Sequence, residues 1–376
     1  MSTIEFRRLT VDDMPALADF LGLNFGRGFF SRTECNVHRH FKNPVGDSII
    51  YGAWDGDRLV GSCALQHCRF WIDGQTISVS HSFSSATHPA YRRELIKIEE
   101  KIETIYTRLN TLCREQAVQE DRRVAYGFPN GQAIVPAMKF AKYENAGRIP
   151  IHLGVFRLAE ALSLKRPGWP KNFCRIIACL PQCLLTVRSS FLRKPKGAVH
   201  VAPVQRVNED WNKLSEESAR HYPIIQDRNA NFLNWRFLED PVLDYRMLEA
   251  RQKGVLRGYL VYTVHPWPER EERQIPCGYV VDFLVMPDEE GEMVLYHLLA
   301  AARQEFITER AVIAASIHHV SERFDAVFRQ SGFFVAPEKI APRPVDFLVR
   351  SESDTLPPSV HGLKHWYLNL ADNDII

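Results

Sequence analysis

"SSATHPAYRRELIK", residues 84–97, reads as the end of a strand passing through a proline-marked loop into a helix. Arg92 and Arg93 stand at the junction, where cations oppose the helix dipole by a few tenths of a kcal/mol, roughly up to 1. Two readings are open: the pair holds an anion, or it is a solvated surface at a helix start. The stretch has no glycine, the residue that lets main-chain amides close on a phosphate.

Upstream, "SIIYGAWDGDRLVGSCALQHC" (48–68) gives two strands around the hairpin signal Asp55-Gly56, and "QTISVSHSFSS" (75–85) alternates as a third. Downstream, Leu95, Ile98, Ile102, Ile105, Leu109 and Leu112 recur at spacings of three and four, which predicts one long helix. "RRVAYGFP" (122–129) is a short strand. "GQAIVPAMKFAKY" (131–143) is a helical piece interrupted by Pro136, and "GRIPIHLGVF" (147–156) closes the sheet.

The chain then repeats itself. Pro44 and Pro241, Val45 and Val242, Asp47 and Asp244, Ala53 and Ala250, and Gly61 and Gly258 all differ by 197, and Pro89 and Pro287 by 198. The element order returns too. Strands fall at 245–250, 258–264 and 278–286, a helix at 291–307, a strand at 311–319, a helix at 321–330, and closing strands at 332–336 and 345–350. An internal duplication predicts an α/β fold of two tandem domains, 1–160 and 209–376, each a mixed, mostly antiparallel sheet with helices packed on it.

Between them, 161–208 has no Asp or Glu and nine Lys or Arg. The segment 165–196 is either a peripheral contact with an anionic membrane or a linker packed between the domains.

Composition fits a globular chain: 376 residues, 45% hydrophobic and 24% charged, with a formal net charge of +2. That charge gives no general polyanion affinity, so nucleic acid is not an expected partner. The eight cysteines form no CxxC pair or zinc-like cluster, and no signal peptide or membrane-spanning run is evident. A cytoplasmic protein, peripheral to a membrane if the linker binds one, is the expectation. Oligomeric state is not legible.

"FKNPVGDS", "ATHPAYRR", "YGFPN", "GRIP", "FLNWRFLEDP" and "HWYLNLADND", in this order, resemble the GCN5-related N-acetyltransferase (GNAT) superfamily. The closest likeness is to its tandem-domain branch, found with bacterial surface-polysaccharide genes. The resemblance implies an acyltransferase taking its acyl group from acetyl-CoA, another acyl-CoA or a carrier thioester. The acceptor would be an amine, a small molecule or a sugar, with an amino sugar as the branch's own suggestion. It further implies a CoA site in the wedge between two parting strands, along Ser85, Ala86, Tyr91, Arg92 and Arg93, and no metal. The family's loop reads Arg-x-x-Gly-x-Gly/Ala; with Arg92 in the first position, Leu95 and Lys97 replace the glycines. A catalytically lapsed scaffold is the competing expectation.

In the second half, Asp288, Glu289, Glu290 and Glu292 would repel a pyrophosphate, so a CoA site belongs to the first. The family's general-acid tyrosine is replaced by Met138 and Phe328. Candidate catalytic residues are His81, Asn130 and Asp282. Against those roles, His81 in phase with Val79 and Phe83 reads as a core histidine, and Asn130 as a helix cap. Asp282 reads as a structural hydrogen-bonding group. His88 reads as a turn residue. His318-His319 is no metal site, because adjacent strand residues face opposite ways.

Overall fold

The computed structural model describes residues 4–26, 28–92, 95–98, 101–165, 170, 172–174, 176–178, 198–266, 275–337, 344–352 and 356–373. Arg93 and most of the basic segment 165–196 lie outside them. The strands are β1 Glu5–Arg8, β2 Ile49–Asp55, β3 Arg58–Ile72, β4 Gln75–Thr87, β5 Leu95–Ile98, β6 Lys101–Thr104, β7 Val124–Gly127, β8 Glu144–Ile149 and β9 Ile151–Val155. They continue as β10 His200–Val204, β11 Ile224–Gln226, β12 Arg246–Gln252, β13 Val255–Pro266, β14 Pro276–Val285, β15 Ile313–His319, β16 Phe333–Val335, β17 Val345–Ser351 and β18 Trp366–Asn369.

Two compact units result, and neither is continuous in sequence. The first comprises Met1–Arg148, Tyr222–Leu243 and Val345–Trp366; the second Ile149–His221, Asp244–Pro344 and Tyr367–Ile376. The first sheet runs β1-β2-β3-β4-β7-β17-β8, with β11 on β3. The second runs β10-β12-β13-β14-β15-β9-β16.

Each sheet therefore takes an interior strand from the other half of the sequence. The stretch 147–156, expected to close the first sheet, divides at Pro150: residues 147–149 end β8, which closes the first sheet beside β17, and the rest supplies β9, which lies between β15 and β16. The stretch 345–350, expected to finish the second, supplies β17, which pairs with β7. Local pattern identifies both as strands and is silent about which sheet receives them.

The positions matched in the sequence comparison pair alike in the two hairpins. Ala53 pairs with Gly61, and Ala250 with Gly258. A bulge follows Ala53 in one hairpin and Ala250 in the other. The Asp55-Gly56 hairpin forms as expected, with Gly56 at φ 58°.

Alternation along β2 sends Ile50 toward the Met14–Phe25 helix and its neighbour Ile49 toward the Ile105–Gln119 helix. The first unit thus carries helices on both faces of its sheet.

The long helix expected from Leu95 is shorter. Leu95–Ile98 and Lys101–Thr104 pair as antiparallel strands β5 and β6, and the helix starts at Ile105, where the Thr104 side chain accepts the Thr107 N–H at 3.2 Å. Leu95 and Ile102 are 66% and 67% exposed, whereas Ile105 and Leu109 are buried. A run rich in β-branched isoleucine satisfies a period of two as well as a helical one, and the threonine cap sets the boundary. Pro136 falls in the first turn of the Ile134–Phe140 helix, where a missing N–H costs nothing.

Candidate active site

In the first unit β4 and β7 run parallel from Val79–Val124 to Ser82–Gly127. Pairing stops there, while β4 continues five residues to Thr87. Close approach at the parting point suits Gly127: a Cβ there would lie 3.1 Å from the Ser82 carbonyl oxygen. Just beyond, Ser84 and Ser85 together oppose Cys63 in a bulge, and Ser84 takes φ 51°. The Ser62 hydroxyl donates to the Ser84 carbonyl at 2.7 Å and fixes the kink.

The candidate CoA-binding residues line this stretch and divide between its faces. Ser85 donates to Cys63 Sγ at 3.5 Å on the side of the Ile105–Gln119 helix. Ala86 packs against the core of the Met14–Phe25 helix. Tyr91 donates its hydroxyl to Asp55 at 2.5 Å.

Arg92 is exposed and donates through Nε to the Thr87 carbonyl at 3.1 Å. Arg58 Nη2 lies 2.6 Å from His88 Nε2, while His88 Nδ1 accepts the Ala90 N–H. A neutral imidazole has one bare nitrogen, so both contacts cannot be full hydrogen bonds. Burial, then Arg58 and Arg92, push the His88 pKa down. Positive charge is thus crowded at the wedge mouth, and a bound anion would relieve it. The beginning of the Ile105–Gln119 helix is displaced from Arg92 by the β5-β6 hairpin, so the family's Arg-loop-helix continuity is broken.

His81 lies on the paired part of β4, at the wedge floor. It is 5% exposed and stacks on Tyr126 at 4.7 Å and 8°, with Phe83 on 5.6 Å. Its Nε2 has no hydrogen-bond partner, and burial, with Arg39 and Arg236 adding, pushes its pKa down to about 3. His40 does the same from the Thr33–Phe41 helix. It is fully buried, stacks on Phe83 at 4.7 Å, has both ring nitrogens unpartnered, and is pushed down to about 3 by burial and Arg39.

Sequence reasoning found His81 and missed His40, which sits in a helix whose spacing carries no catalytic pattern. Asn130 is exposed, and its carbonyl oxygen accepts the Gln132 and Ala133 N–H groups at 3.1 Å, a capping turn. Met138 is 43% exposed, and Phe328, in the second unit, is buried.

Asp282 belongs to the second unit. It is fully buried, accepting from Tyr259 Oη at 2.8 Å and Asn369 Nδ2 at 2.7 Å. There β14 and β15 stop pairing at Val280–Ser316, and β18 continues on β15 through His318–Asn369 and His319–Leu368. Asn369 Nδ2 also donates to the Phe283 carbonyl of β14 at 3.0 Å, as does the Tyr367 hydroxyl. The chain's own C-terminal strand fills the second wedge.

Residues 5–132 match the family model described as an acetyltransferase (GNAT) domain. No curated protein matches the sequence. A GCN5-related N-acetyltransferase from Anabaena variabilis superposes with TM-score 0.60 at 12% identity, over 93% of this chain and 73% of that one. N-myristoyltransferase from Saccharomyces cerevisiae, solved with bound myristoyl-CoA, superposes with TM-score 0.60 at 9% identity, over 93% of this chain and 83% of that one. Residues 5–132 are thus similar to a GNAT acetyltransferase domain, and the chain shares the fold of these solved N-acetyl- and N-myristoyltransferases. No described helix is long and apolar enough to cross a membrane.

Proposed function

We propose that the first unit transfers an acyl group from an acyl-CoA to an amine, and that the second unit is a structural domain without chemistry of its own. The observation carrying this is the open strand divergence past Ser82 and Gly127, bulged at Ser84–Ser85 and flanked by Arg58 and Arg92. Guanidinium groups suit a diphosphate, offering paired donors where a glycine loop would offer main-chain amides. CoA, when bound, supplies the activated thioester.

The acceptor nitrogen bonds the thioester carbonyl carbon, the C–S bond breaks, and the proton lost by nitrogen ends on the CoA thiol. His81, with a pKa near 3, is too weak a base to strip an ammonium at neutral pH. Its role is that of a neutral hydrogen-bonding group at the wedge floor. The amine must arrive neutral or deprotonate to water. Asn130, with its oxygen held in a turn, has its amide N–H groups for an acceptor. The hydrogen bonds from Tyr259 and Asn369 support a structural role for Asp282.

An amino sugar is the proposed acceptor class, in surface-polysaccharide synthesis in the cytoplasm, and 165–196 the proposed membrane contact. Release of free thiol from acetyl-CoA and longer acyl-CoAs, measured across amino sugars and peptide amines, tests the reading. Turnover with amino sugars is expected. Absence of turnover and of CoA binding would leave a scaffold, a reading that the closed second wedge already favours for that unit.

A further inference from the structure

His152, His318 and Asp325 meet in the second unit from three elements: β9, β15 and the Glu322–Gln330 helix. Both histidine side chains are 0% exposed, while that of Asp325 is 28% exposed and opens the group to solvent. His318 Nε2 is 3.2 Å from Asp325 Oδ1 and His152 Nε2 is 3.5 Å from it. The three donor atoms all lie within 4.8 Å of one another. Ligands bound at about 2.0–2.1 Å in a tetrahedral shell stand about 3.3 Å apart, which the two measured edges bracket.

Two further features point to a ligand. Neither ring nitrogen of His152 has a hydrogen-bond partner, a costly state for a buried polar group. Ser316 Oγ lies 2.9 Å from His318 Nδ1. By accepting that N–H it would fix the tautomer that leaves the Nε2 lone pair toward Asp325, as an outer partner does for a metal-bound imidazole. Phe328 lies 4.2 Å from the His318 ring and Phe283 lies 5.5 Å from it, giving the site an apolar wall.

We propose that His152, His318 and Asp325 bind one divalent transition-metal ion, with Zn²⁺ the best match to the donor set and a water in the fourth position. The imidazole rings lie parallel, with centroids 4.1 Å and planes 11° apart, and tilt toward the shared point on binding. Arg329 opposes a cation here, and the Asp325 carboxylate offsets it. The ion would tie β9 to the strand and helix that receive it.

The test is titration of the full chain, stripped with chelator, with Zn²⁺ by calorimetry and with Co²⁺ by visible absorption. One-to-one uptake is expected, with tetrahedral Co²⁺ bands, and affinity weakened roughly tenfold or more in both His152→Ala and Asp325→Asn. Melting curves of the metal-free variants check folding. Asp325→Asn changes a partly exposed side chain, so it keeps the test alive if His152→Ala does not fold. No saturable uptake by the wild type would overturn the proposal. So would uptake undiminished in Asp325→Asn, leaving only His318 hydrogen-bonded to the carboxylate.

Discussion

His38 and Trp235 hydrogen-bond each other twice. His38 Nε2 donates to the Trp235 carbonyl at 2.8 Å, and Trp235 Nε1 donates to the His38 carbonyl at 3.1 Å. The two positions are 197 apart, the offset of the sequence repeat. Their rings stack at 5.7 Å and 18°.

Trp235→Phe keeps the stacked ring and removes one of two donors to the His38 carbonyl, which keeps the Lys42 N–H at 3.2 Å. A loss of about 1–3 kcal/mol is expected from urea unfolding midpoints. A neutral result would mean that water replaces the bond.

The paired glycines should respond unequally. A Cβ on Gly258 would meet the Leu284 carbonyl oxygen at 2.7 Å, a backbone atom, whereas on Gly61 it meets the Ile105 Cγ2 methyl at 2.7 Å. Gly258→Ala is expected to cost about 1–3 kcal/mol, and Gly61→Ala less, because a side chain can turn away. Equal melting temperatures for the two variants would contradict this.

Saturation with CoA or acetyl-CoA at a hundredfold excess over Kd is expected to add about 2.7 kcal/mol to stability, read as a rise in Tm. Arg92→Ala and Arg58→Ala should each shrink that rise. A full rise in both would place the diphosphate elsewhere.

The buried histidines make stability fall in acid. His40 and His81 have folded pKa values pushed from 6.5 down to about 3, so the unfolded chain binds more protons between those values. Stability from each is intact above about pH 6.5 and declines as pH drops, by about 1.4 kcal/mol per pH unit within the window. His40→Phe should flatten the dependence of the unfolding midpoint on pH between 4 and 6.5. An unchanged slope would mean that His40 reaches water.

Asp282 separates two roles. With both oxygens engaged by Tyr259 and Asn369, Asp282→Asn is expected to lower Tm while leaving the acyl-transfer pH profile of the surviving enzyme unchanged. A lost acidic limb in that profile would restore it as a catalytic base.

Much of the architecture is legible in the sequence because it is local. Asp55-Gly56 announces its hairpin, and Ala53 and Gly61 with their counterparts Ala250 and Gly258 announce the repeat. What escapes is non-local or ambiguous at short range. Residues 95–104 satisfy helix and strand periods equally, and Thr104 decides between them. Nothing near Asn369 foretells that it binds Asp282, and nothing near His152 foretells its meeting with His318. His81 was readable as a core-side histidine of β4, but its unpartnered nitrogen and the second buried ring of His40 require the packed structure.

The placement of β9 and β17 bears on how the protein can be made and taken apart. A chain cut between its two halves yields pieces that each lack one interior strand and carry a spare one in its stead. Neither piece is expected to mature alone; produced together, they should rescue one another, and neither duplicate can be shed without ruining the survivor.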